Sequence, residues 1–184
     1  MTAWERLMRR VASTLRYYAE HETPEQRSDR YRALGVTIGP RTVIYDSLLD
    51  PVHPGLLTIG ADCTITGAEL LCHDDSLIPH RQRQRAAPVT IGDRVFIGRR
   101  AVVLPGRTIG SDVIVGAGSI VTKDIEARSV VAGNPARTLM SLDDFLKRSY
   151  TDPSVIDLEV AGTLGTVPVL EQLRTMAQAR WFKT

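Results

Sequence analysis

An aliphatic residue returns at every sixth position along much of this chain. It stands at Ile91, Ile97, Val103, Ile109, Val115 and Val121, and upstream at Ile38 and Ile44 and again at Ile59, Ile65 and Leu71. Neither the 3.6-residue helix nor the two-residue alternation of a strand produces a period of six. A short strand, a sharp turn and another short strand do. A fixed short period marks a solenoid, and a hexapeptide period marks a parallel β-helix. One unit cannot bury its apolar side chain alone, so the units must stack. Three sixes make one triangular coil, which places coil starts at Ile59, Ile91 and Ile109. Successive coils are expected about 4.8 Å apart, the spacing of paired strands.

Glycine follows the aliphatic residue at Gly39, Gly60, Gly92, Gly98, Gly110 and Gly116, which suits a tight corner. The fifth slot of each six is small or apolar: Thr42, Cys63, Val95, Ala101, Val113 and Ser119. Ahead of the repeats, Trp4, Leu7, Met8, Val11, Leu15 and Tyr18 predict an amphipathic helix over 3–20. A polar connection is expected from Thr23-Pro24. Beyond Ala136 the period ends. Ser141 to Phe145 predicts a short capped helix, and Pro168 to Phe182 a second, which would cover an open end of the solenoid. The division expected is a helical segment 1–35, a β-helix 36–137 interrupted by a loop at 76–89, and a helical extension 138–184.

Composition narrows the function. Hydrophobic residues make up 43% of 184, which supports one packed core. A net charge of +2 is too mild to argue for nucleic acid or a membrane surface. No apolar run reaches the roughly 20 residues of a membrane helix. Cys63 and Cys72 form neither a disulfide framework nor a CxxC metal site, so a reducing cytoplasm is expected. The run RQRQR at Arg81–Arg85 lacks aromatic residues for base stacking, which argues against nucleic acid.

Three segments carry a resemblance: LLCHDD at 70–75, VTIGDRVFIGRRAVVLPGRTIGSDVIVGAGSIVTKDI at 89–125, and VVAGNPAR at 130–137. Over roughly residues 34–140 the chain resembles the hexapeptide-repeat acyltransferases, in the sugar and xenobiotic O-acetyltransferase group. The resemblance implies a mainly β fold, a left-handed parallel β-helix with helices at both ends. It implies a homotrimer with active sites between subunits, and acetyl-CoA as acyl donor with no metal. His73 matches the family's general base, which takes the proton from an acceptor hydroxyl. Imidazole suits that task, because its reference pKa of about 6.5 lets it accept a proton near neutrality. No covalent enzyme intermediate is required, so Cys72 is not assigned as nucleophile.

Asp74 either orients the imidazole or binds an acceptor hydroxyl, or it simply forms a turn. Asp50 and His53 stand where acceptor contacts are expected, although a turn built on Pro51 and Pro54 accounts for them equally. His80, Arg81, Arg83 and Arg85 read as a solvated loop, or as an electropositive lip for an acidic acceptor or CoA phosphates; Arg81 is the candidate acceptor contact. Carry-over from the family places CoA contacts at Ala117, Thr122, Lys123 and Arg137, with the last two on phosphates. Arg99 departs from the family, which usually has a small residue there; it faces a phosphate or solvent, or narrows the pantetheine channel. Coil counting also predicts that Asp75 and Arg107, in matching slots of adjacent coils, form a compensating pair.

The function expected is O-acetylation of a sugar or glycan hydroxyl. N-acetylation of an amino sugar is the close alternative. A γ-class carbonic anhydrase needs three metal-binding histidines, and no His follows His80. A catalytically silent scaffold fits poorly with the retained His73, VTKD and AGNPAR.

Overall fold

The structure, a computed structural model, describes residues 22–152. The helices expected over 3–20 and 168–182 lie outside that range. Two units divide the chain, 1–142 and 143–184.

The first coil carries β1 (Thr37–Ile38), β2 (Val43–Tyr45) and β3 (Leu48–Leu49). The second carries β4 (Leu57–Ile59), β5 (Thr64–Thr66) and β6 (Glu69–Leu70). A two-stranded ribbon follows, β7 (His73–Asp74) and β8 (Arg85–Ala86), with one turn of helix at Ile78–Arg81 between them. The third coil is β9 (Val89–Ile91), β10 (Phe96–Ile97) and β11 (Val102–Val103); the fourth is β12 (Thr108–Ile109), β13 (Ile114–Val115) and β14 (Ile120–Val121). β15 (Ser129–Ala132) extends the second face and β16 (Arg137–Ser141) closes it antiparallel. Every other pairing between coils is parallel. No helix among the described residues is long and apolar enough to cross a membrane.

The repeat residues stack in three interior columns. Ile38, Ile59, Ile91 and Ile109 form one; Ile44, Ile65, Ile97, Val115 and Val131 the second; Leu49, Leu70, Val103 and Val121 the third. All are buried. The fifth-slot residues Thr42, Cys63, Val95, Ala101, Val113 and Ser119 are buried beside them.

Two details correct the six-residue count. The third column holds Leu49 and Leu70, not Leu71, because the turns before them are one residue shorter. Asp46 and Gly67, both with positive φ, make those shorter turns. The glycines after the aliphatic positions also act differently from expectation. Their φ values are ordinary, and the positive φ falls instead on later corner residues. What the glycines allow is close stacking: a Cβ on Gly98 would stand 2.6 Å from the Ala117 nitrogen of the next coil.

One corner carries a ladder of charge. Arg41, Asp62, Arg94, Asp112 and Arg128 occupy the same left-handed turn position in successive coils, with φ of 57°, 58°, 53°, 61° and 59°. Their signs alternate. Arg41 clasps Asp62 through two bonds of 2.5 and 2.7 Å, and Arg94 clasps Asp112 through bonds of 2.7 and 2.9 Å. The clasping arginine holds each carboxyl below its usual range, with a smaller contribution from the next arginine along. A non-glycine residue is strained at positive φ, and the forked ion pairs offset part of that cost.

The segment read as a polar connection is a helix, α1 (Pro24–Ala33). Thr23 and Gln26 form a reciprocal capping box and Pro24 opens the first turn. Apolar periodicity gave no sign of it, because Tyr31 is its only large buried side chain. Its task is polar. Along the strands each coil donates N–H groups to the carbonyls of the next, and only corner carbonyls such as those of Pro40 and Tyr45 accept from the following coil, so the strand carbonyls of the first coil have no strand partner. Helix α1 supplies the donors. Arg32 bonds the Ile38 and Gly39 carbonyls, Ser28 the Thr42 carbonyl, Arg27 the Ile44 carbonyl and Tyr31 the Ser47 carbonyl. A sheet edge that would otherwise recruit another strand is thereby closed.

The short helix expected near Ser141 is present as Leu142–Ser149.

Candidate active site

The ribbon leaves the solenoid where the third face turns back to the first. His73 opens it, directly after the buried Cys72. One coil earlier, at the same corner, Asp50 ends the run of β3. Its residue is 1% exposed, so its charge is withdrawn from water. Burial alone would raise its pKa. Four donors outweigh that: the Val52 and His53 N–H groups on Oδ1 at 2.9 and 2.8 Å, and the Cys72 N–H and His73 Nδ1 on Oδ2 at 2.6 and 2.5 Å. The carboxyl is held at about 2. Asp50 is therefore a carboxylate at any physiological pH and can only accept hydrogen bonds. In the neutral imidazole of His73, Nδ1 must then carry the proton, which leaves the lone pair on Nε2.

His73 is mostly sheltered, with 18% of its side chain exposed. It lines a cleft of about 490 Å³ with Leu71, Asp74, Arg85, Leu104, Pro105, Arg107 and Thr122. The His53 ring approaches His73 edge-on, with centroids 5.8 Å apart and planes at 74°. Its Nε2 meets Gln84 Oε1 at 2.7 Å, and the Gln84 amide donates to Asp75 at 2.7 Å, which ties the loop to the coil wall.

Several expected roles are corrected. The residue that orients the imidazole is Asp50, not Asp74. Asp74 accepts from the Ser76 N–H at 2.8 Å and faces Arg85 at 4.0 Å. Asp50 was expected to contact acceptor, and its buried, fully engaged oxygens rule that out. Asp75 and Arg107 do not pair. The short turn at Gly67 and the exit of the ribbon carry Asp75 out of the coil, where it meets Gln84, while Arg107 lies 3.8 Å from Asp124. Arg81 is exposed on the helical turn of the loop and is not among the residues lining the cleft.

The expected CoA residues divide. Thr122 lines the His73 cleft, and its neighbour Lys123 opens a second groove of about 510 Å³ that also holds Arg137. The groove is lined by Lys123, Arg128 and Arg137 against Asp124 and Glu126, and an excess of cationic side chains suits phosphates. Arg99 and Ala117 stand at another corner, between the second and third faces. There the Arg99 stem packs over Gly67 and the Ala117 backbone over Gly98. Within one chain they do not join either cleft. Cys72 is no nucleophile: burial and the Asp50 charge push its thiol up to about 11. The sequence reading has Arg85 among its alternatives, as part of an electropositive lip or of a solvated loop, and the cleft includes it; it misses Gln84 as a tether. The ribbon pairing that places Arg85 opposite Asp74 left no periodic signal.

Comparison with known proteins agrees with this architecture. A family model described as bacterial transferase hexapeptide (six repeats) matches residues 88–123. The galactoside O-acetyltransferase of Escherichia coli K12 is 33% identical over 163 residues, covering 74% of this chain and 80% of that protein. A galactoside acetyltransferase solved in complex with coenzyme A superposes with a TM-score of 0.57 at 26% identity, over 85% of this chain and 92% of its own. A hexapeptide-repeat acetyltransferase from Vibrio cholerae O1 biovar eltor, solved with acetyl coenzyme A, gives a TM-score of 0.53 at 29% identity, over 59% of this chain and 61% of its own. Stacked parallel coils with a histidine at the mouth of an outward loop define the class as hexapeptide-repeat transferases. The chain belongs to the hexapeptide-repeat acetyltransferase family, and it is an enzyme of acyl transfer.

Proposed function

We propose that this chain transfers an acetyl group from acetyl-CoA to a hydroxyl of a sugar or glycan, with His73 as general base. The observation that carries the reading is the hydrogen bond from His73 Nδ1 to the buried Asp50 carboxylate. It leaves Nε2 unprotonated toward the cleft. Bound acetyl-CoA supplies the thioester carbonyl. Nε2 removes the proton of the acceptor hydroxyl as its oxygen attacks that carbonyl. The imidazolium so formed is stabilised by Asp50 and returns the proton to the departing sulfur. General-base assistance of this kind contributes about 10²- to 10⁴-fold in rate.

Lys123 and Arg137 are the proposed partners of the donor phosphates, with Thr122 nearer the thioester. Asp74 and His53 border the acceptor side. The names of the relatives favour a hydroxyl acceptor over an amine. We further propose that the coils wind left-handed and that the chain assembles as a homotrimer with sites between subunits. Outward apolar side chains at Tyr45, Leu48 and Phe96 support burial against other copies. In such a trimer Arg99 and Ala117 of one subunit could face the His73 cleft of the next. The β-helix is retained as 36–137, between the segments 1–35 and 138–184.

His73→Ala tests the base. The variant is expected to fold and bind acetyl-CoA, with acceptor-dependent thiol release reduced at least about 10²-fold. Turnover near that of the unaltered chain would remove the assignment.

A further inference from the structure

We propose that the acceptor of this enzyme carries an anionic group, a carboxylate or a phosphate, seated by Arg85 and Arg107 beside the hydroxyl that His73 deprotonates. The inference rests on the proposed function, which leaves the acceptor's charge open.

The cleft around His73 has an apolar floor of Leu71, Leu104 and Pro105, and its walls carry two guanidinium groups against one carboxylate, Asp74. Arg85 reaches it from the ribbon. Its contact with Asp74 is 4.0 Å, beyond hydrogen-bond reach, and 68% of the side chain is exposed. A guanidinium held near a site with unspent donors is suited to fork onto a carboxylate or phosphate. Arg107 comes from the solenoid itself and is more firmly fixed. Its Nε donates to the Pro105 carbonyl at 3.3 Å and its Nη1 to the Thr122 carbonyl at 3.4 Å. Its Nη2 has no partner among the described residues.

The nearby acids do not cancel this arrangement. Asp74 is the one carboxylate among the lining residues, against two guanidinium groups; Asp75 bonds the Gln84 amide, and Asp124, 3.8 Å from Arg107, has 65% of its side chain in screening solvent. The loop from Ser76 to Gly92 contains no acidic residue. A neutral sugar would leave both guanidinium groups to water. An anion beside the reacting hydroxyl would engage them and fix its orientation to Nε2.

The test is calorimetric binding of three sugars to the full chain at low salt: galactose, galacturonate and galactose 6-phosphate. The rings match and only the group at C6 differs. At least one anionic sugar is expected to bind about tenfold or more tightly than galactose, since a charge-assisted pair is worth at least that factor. The tighter of the two names the anion. Arg85→Gln should erase most of the difference; this exposed side chain can be replaced without disturbing the core. Equal binding of all three sugars, or none, overturns the proposal. So does an Arg85→Gln chain that keeps its preference and loses coenzyme A affinity instead, because the guanidinium would then serve the donor phosphates. His73→Ala separates this inference from the base assignment. If that variant keeps the preference yet turns over normally, the anion site stands and the base does not.

Discussion

Replacing Asp50 by Asn should disable the enzyme while removing no atom from the acceptor cleft. The carboxylate receives four hydrogen bonds, two on each oxygen. Asn can keep an oxygen toward the Val52 and His53 N–H groups. Its amide nitrogen then faces the Cys72 N–H, a donor against a donor, and presents N–H to His73 Nδ1. To accept that bond the imidazole must move its own proton to Nε2, where the lone pair is needed. The same logic in serine proteases lowers turnover about 10⁴-fold when the orienting Asp becomes Asn. Here kcat is expected to fall about 10²- to 10⁴-fold.

Stability should fall as well. The carboxyl lies at about 2 in the folded chain against 3.8 for the free group. At 1.36 kcal/mol per unit that difference is worth about 2 kcal/mol. Because the folded value is the lower one, the contribution is complete above about pH 4 and is lost as the pH falls through about 2. Asp50→Asn should therefore melt roughly 5 °C lower at neutral pH and show a flatter decline below pH 4. Thiol-release kinetics and melting curves across pH read both effects. A variant with kcat within about threefold of the parent would refute the tautomer argument, whatever its stability.

The other expectations are structural. Arg94→Glu places a third carboxylate between Asp62 and Asp112 in the corner ladder; it should lower the melting temperature at low salt, and by less in 1 M salt, where the Debye length shrinks to about 3 Å. A loss that salt leaves unchanged would show that the ladder's electrostatics are not responsible. Cys63 and Cys72, both buried with raised thiol pKa values, should resist alkylation in the native chain and react only on unfolding. Fast labelling of native Cys72, read by mass spectrometry, would contradict the burial described here.

Much of the fold was legible because packing repeats. The columns through Ile38, Ile59, Ile91 and Ile109 follow directly from one aliphatic residue per six. Where the period fails by one residue, as at Asp46 and Gly67, counting cannot see it, and the Asp75–Arg107 pairing failed for that reason. Helix α1 is held by hydrogen bonds to carbonyls rather than by an apolar stripe, so hydrophobic patterning passed over it; the Thr23–Gln26 capping box was the available sign. His73 was legible through its motif. Its partner was not, because Asp50 lies 23 residues away and meets it only when one coil is laid on the next. The identity of Asp50 as a buried acid emerges from stacking, not from any local pattern.

The central claim is that the His73 ring holds its proton on Nδ1 and offers Nε2 to the acceptor. Nitrogen-15 NMR of histidine-labelled protein at mildly alkaline pH reads it directly. A protonated Nδ1 and an unprotonated Nε2 at position 73, assigned against His73→Ala, is the predicted result. The opposite tautomer in the unliganded enzyme would contradict it.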